Sequence, residues 1–81
     1  MIVDIYVPSV DKTYDFTLDE NQEVSIIIEE IVEMISQKEN CNISGNVKEL
    51  LLIGLESSEI FDKNRTLNSY KICNGKRLIL V

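Results

Sequence analysis

The sequence predicts an α+β fold: a mixed sheet of four to five strands packed on one main helix, at about residues 22–37. Three observations carry this. Ile2–Val7 and Thr13–Leu18 alternate apolar and polar residues, the pattern of half-buried strands. Val24–Ser36 instead repeats its apolar residues at helical spacing. Short apolar runs broken by turn residues then fill the rest of the chain, with no second helical stretch.

In the first strand Val3, Ile5 and Val7 share one face, and Ile2, Asp4 and Tyr6 the other. Pro8 to Lys12 reads as a turn, because Pro lacks a ladder donor and Asp favours turns. Tyr14, Phe16 and Leu18 form the inward face of the second strand, and Asp15 and Thr17 the outward one. The two runs make a β-hairpin.

Asp19 or Asn21 is the expected helix N-cap, and Asp19 with Gln22 has the form of a capping box. Ile27, Ile31, Met34 and Ile35 form the inward stripe, widened by Val24, Ile28 and Val32, while Glu29, Glu30 and Glu33 hold the opposite side. A helix of this length spans about 24 Å, enough to cross one face of a small sheet. Its many Ile and Val residues lower its intrinsic propensity, so its stability has to come from packing.

Residues 38–46 read as a polar loop with Ile43 tucked against the fold. Leu50-Leu51-Leu52-Ile53 is a short buried strand, Glu59-Ile60-Phe61 a brief one, and Asp62-Lys63-Asn64 a turn. Leu67, Tyr70 and Ile72 are spaced too irregularly for a strand or a long helix, and suit a short turn that drops three anchors onto the core. Asn74-Gly75 is a strong turn signal before the apolar strand Arg77–Val81.

Eighty-one residues make a single domain, 1–81, with one modest core. The net charge of −6 makes the chain a poor binder of nucleic acid or anionic membranes. It shows no signal peptide and no apolar run long enough to cross a membrane, so the expected location is cytoplasmic, at most peripheral to a membrane complex. Cys41 and Cys73 read as reduced thiols, and the matches to a glycosylation sequon at Asn42 and Asn64 carry no weight in that compartment. With no His, neither a Ser-His nor a Cys-His pair can form, and two thiols alone do not make a zinc site. No enzymatic activity, cofactor or metal is expected. The remaining candidate is a contact surface on the sheet face away from the helix: Ile2, Tyr6, Leu52, Ile79 and Val81.

Strand, strand, helix, then further strands is the β-grasp order. Arg65-Thr66-Leu67, Tyr70, Ile72, a polar turn and the Leu78–Leu80 strand resemble the close of ubiquitin. That resemblance implies a ubiquitin-like domain in which the Tyr70 hydroxyl closes its loop on nearby backbone, and the last strand lies between the first hairpin and the third strand. The sequence stops at Val81 without the Gly-Gly tail that conjugation and sulfur transfer need. Asn64-Arg65, Leu67, Tyr70, Ile72, Gly75, Leu78 and Leu80, with Thr13-Tyr14-Asp15-Phe16, are similar to the YukD/EsaB family, encoded with bacterial type VII (WXG100/ESX-like) secretion systems. The resemblance implies a non-conjugated accessory, adaptor or regulatory protein of such a system. Its partners would be secretion-system proteins or further copies of itself. Two competing readings are a carrier or modifier of the sulfur-carrier type whose Gly-Gly lies beyond Val81, and a ubiquitin-like module of a larger membrane secretion component.

Overall fold

The computed structural model describes residues 1–39, 49–56, 58–70 and 75–81. The elements are β1 (Ile2–Val7), β2 (Lys12–Thr17), α1 (Val24–Glu39), β3 (Leu52–Gly54), β4 (Glu59–Ile60), a 3-10 turn (Leu67–Tyr70) and β5 (Arg77–Leu80). The strands form one sheet in the order β2-β1-β5-β3-β4. β1 and β5 run parallel and the other neighbours antiparallel. The last strand therefore lies between the hairpin and β3, as expected.

Alternation in β1 and β2 places Val3, Ile5, Val7, Tyr14, Phe16 and Leu18 on the buried face. The hairpin closes through Val10 N–H to Val7 O (3.2 Å) and Asp11 N–H to Pro8 O (3.1 Å). Asp11 takes φ 52°, a left-handed conformation that Asp tolerates better than most residues.

The helix packs Val24, Ile27, Ile28, Ile31 and Ile35 into the core, all at most 1% exposed. Met34 does not join them. It is 53% exposed, because the stripe runs through Ile27, Ile31 and Ile35, one residue per turn, and Met34 falls to its side. The helix also starts two residues later than the sequence pattern suggests. Asp19 caps a tight turn instead, its Oδ1 accepting from Asn21 N–H at 2.9 Å and its carbonyl from Gln22 N–H at 3.1 Å.

The first two helical N–H groups find their acceptors far along the chain. Val24 N–H donates to Arg65 O (2.8 Å) and Ser25 N–H to Lys63 O (3.1 Å). A bridge between Glu23 and Thr66, and a bond from Asn68 N–H to Glu20 O (2.9 Å), fasten the same two segments. Backbone carbonyls thus do the work a side-chain cap usually does.

Leu67 and Phe61 are fully buried beneath this junction. The Tyr70 ring packs on Phe61 with centroids 4.8 Å apart, and the Arg65 guanidinium lies 4.7 Å from its centroid. The Tyr70 hydroxyl accepts from Asp62 N–H at 2.8 Å, so it closes its own loop on the backbone. Of the anchors and loop residues singled out in the sequence, Ile72, Ile43, Asn42, Asn74, Cys41 and Cys73 lie outside the described residues. Gly75, which follows Asn74, has φ 83°, where a side chain would be strained.

At its other end the helix is tied to β2. Glu39 accepts from Lys12 Nζ at 2.9 Å and from the Tyr14 hydroxyl. Those two donors hold its carboxyl below the ordinary range, against a smaller opposing effect of desolvation.

Leu67→Ala is expected to cost about 2–5 kcal/mol, as large-to-small changes in a packed core do. A urea titration checks this, and a shift near zero would show that the 3-10 turn is not part of the core.

Candidate protein-contact face

The helix covers one side of the sheet. Strand register fixes what stands on the other. Thr13 pairs with Tyr6, Tyr6 with Ile79, Ile79 with Ile53, and Ile53 with Ile60. Side chains directly opposite one another share a face, so these five residues form one row across all five strands. Its apolar members run from half-buried Tyr6, Ile79 and Ile53 at the centre to Ile60, 58% exposed, at the edge.

Leu52 is not in this row, which corrects the expectation from the sequence. It pairs with Leu80, faces the helix and is fully buried. The neighbouring Ile53 takes the outward position. Ile2 and Val81 do face outward, at 54% and 45% exposure. They lie at opposite ends of the sheet, since Ile2 is four residues before Tyr6 and Val81 two residues after Ile79, the partner of Tyr6. At strand spacing that separates them by ~20 Å. Tyr6 and Ile79 are adjacent, and Ile53 and Ile60 replace Leu52 beside them.

A second row runs beside the first. Asp15 on β2 pairs with Asp4 on β1, and Asp4 with Arg77 on β5. Like charges directly across a strand pair oppose each other. The Asp15 carboxyl, hydrogen-bonded to that of Asp4, raises the Asp4 pKa above its ordinary value. Partial desolvation and the Asp15 charge act in the same direction, and the Arg77 charge opposes them. Lys12–Glu39 and Lys76–Glu56 form ion pairs, whereas Arg77 does not close on Asp4. At the hairpin end the Tyr6 hydroxyl donates to Asp11 Oδ1 at 2.7 Å, which raises the Tyr6 pKa.

A hollow of about 250 Å³ opens on this face, bordered by Asp4, Tyr6, Thr13, Leu55 and Arg77. A larger one of about 390 Å³ lies elsewhere, between β2 and the C-terminal half of α1, with Tyr14, Phe16, Met34 and Lys38 in its wall. Among the described residues no group of three or more His, Cys, Asp or Glu is placed to hold a metal ion. No helix among them is long and apolar enough to cross a membrane.

The fold is that of ubiquitin-like domains. The ubiquitin-like domain of the Arabidopsis thaliana protein At2g32350 superposes with a TM-score of 0.74 and 21% identity, over 100% of this chain and 74% of that one. The N-terminal ubiquitin-like domain of the 4931431F19Rik protein gives 0.70 and 23%, over 100% of this chain and 72% of that one. No protein-family model matches the chain, and no curated protein matches it in sequence.

A raised carboxyl pKa means that the folded chain holds more protons than the unfolded one between the two pKa values. The Asp4–Asp15 pair therefore lowers stability as pH rises through that window. Asp15→Asn is expected to unfold at higher urea than the parent chain at about pH 7, with the gap closing on acidification towards about pH 3, below the ordinary carboxylate range. A gap that does not change with pH would show that the two carboxyls do not interact.

Proposed function

We propose that this chain is a non-enzymatic accessory protein that acts by protein–protein contact through the open face of its sheet. The observation that carries this reading is the apolar row Tyr6–Ile79–Ile53–Ile60, which crosses the sheet opposite the helix. An apolar row that is half-buried at its centre and exposed at its edge offers the kind of surface on which partners dock. The residues that make up the ubiquitin-like signature, Leu67, Leu78 and Leu80, are spent on the core, at most 2% exposed. They build the scaffold and leave function to the surface.

The system it serves is inferred from the resemblance of Asn64–Leu80 to the YukD/EsaB pattern: a bacterial type VII secretion apparatus, with the chain as adaptor or regulatory subunit at its cytoplasmic side. Neighbouring genes for WXG100 substrates and an FtsK-like ATPase would support that placement. A Gly-Gly encoded beyond Val81 would replace it with a carrier role.

Ile60→Thr combined with Ile79→Thr keeps β-branched residues in the strands. The double variant is expected to stay folded and to lose co-purification with secretion-system proteins from cells that express the locus. Undiminished recovery of those proteins with a folded double variant would sink the assignment of the open face.

A further inference from the structure

The open face is chemically lopsided. Its apolar row is flanked on the β1–β2 side by Asp4 and Asp15, which stand opposite each other, with Asp11 at the hairpin end. Arg77 is the face's cation in the Asp4 row, and it sits on β5, on the far side of Asp4 from Asp15. Two strand spacings, ~10 Å, separate the Arg77 and Asp15 positions. That is beyond the ~8 Å over which exposed charges interact well at physiological salt. Arg77 thus offsets part of the charge at Asp4 but does not reach Asp15, and the Asp4 end of the pair borders a hollow of about 250 Å³ next to apolar side chains.

We infer that the partner of this face is a protein surface carrying an Arg or Lys beside apolar side chains, with the cation seated between Asp4 and Asp15 and the apolar groups on Tyr6, Ile79 and Ile53. This rests on the reading of the open face as a contact surface and adds the partner's chemistry to it. Charge complementarity selects the occupant. A guanidinium donates to two carboxylates through its forked N–H groups and converts their repulsion into two charge-assisted hydrogen bonds. A second copy of this chain is disfavoured, because it would bring another net charge of −6 and a second carboxylate pair to the interface. Nucleic acid is repelled for the same reason.

The test is a titration of the isotope-labelled full chain, followed by NMR at physiological salt. Three synthetic peptides have equal length and the same apolar residues, but Arg, Gln or Glu at the polar positions. The Arg peptide is expected to shift the amides of Asp4, Tyr6, Asp15 and Ile79 and to bind most tightly, and the Glu peptide to bind least. Asp4→Asn with Asp15→Asn should weaken the Arg peptide at least about tenfold, the worth of one hydrogen bond to a charged group. Binding of the Gln peptide should stay the same, which also shows that the variant is folded. Equal affinity for the Arg and Gln peptides overturns the charge selection but leaves the contact face standing. Shifts confined to the Glu29, Glu30 and Glu33 side of the helix, or a concentration-dependent dimer that perturbs the same sheet residues without peptide, overturn it too. No shift on the sheet with any peptide overturns both the selection and the contact reading.

Discussion

The helix of this protein depends on two carbonyls that lie some forty residues further along the chain. Val24 and Ser25 present helical N–H groups, and the carbonyls of Arg65 and Lys63 accept them. A helix so rich in Ile and Val has little intrinsic propensity to draw on. It forms where its apolar stripe is covered and its first donors are satisfied, and both conditions are tertiary. The segment from Phe61 to Tyr70 meets the second condition and contributes to the first through Leu67. Arg65 has two uses here: its carbonyl caps the helix, and its guanidinium lies over the Tyr70 ring. The stretch that marks the chain as ubiquitin-like is therefore the clamp that lets the helix exist.

The parallel pairing of β1 with β5 is the second constraint. It joins the two ends of the chain at the centre of the sheet, so the hairpin and the β3–β4 half cannot shift independently. Once Tyr6 is opposite Ile79, alternation assigns every other outward position. A slip of one residue in β5 would bring Leu78 and Leu80 out and take Ile79 in. The outward row is a by-product of that register, and it is only as well defined as the core on the other side.

The sequence made legible what is periodic and local. Val3, Ile5, Val7, Tyr14, Phe16, Ile27 and Ile31 are buried as their spacing requires. The Tyr70 hydroxyl closes on Asp62 as the ubiquitin resemblance implied. Leu52 was misplaced because Leu50-Leu51-Leu52-Ile53 is continuously apolar, and a run without alternation has no phase to read. Ile60 was missed because a strand of two residues has no period. Met34 looked like core because a stripe drawn through i, i+4, i+7 and i+8 is broader than the face the sheet covers. Asp19 offered a proper capping pattern and was used for a turn, since the helix already had its acceptors from residues 63 and 65. The Asp4–Asp15 opposition was hidden for a different reason: both were known to point outward, but facing pairs are set by register, which no single strand contains.

At 21–23% identity the similarity to other ubiquitin-like domains is a similarity of skeleton. One fold hosts many functions, and the function has to be argued from the site. Here the core accepts few alternatives, because Ile5, Ile27, Leu52, Phe61, Leu67 and Leu78 are all at most 1% exposed and interlocked. The open face is under no such demand. A carboxylate pair there costs some stability and contributes nothing to packing, yet the fold tolerates it because water and salt screen it on that side. The same pair placed among the core residues would have prevented folding. Freedom to carry unfavourable chemistry at little cost is what makes the solvent face of a small sheet a place where relatives of one fold can differ in function. In this chain that freedom is used for an apolar row with an acidic flank.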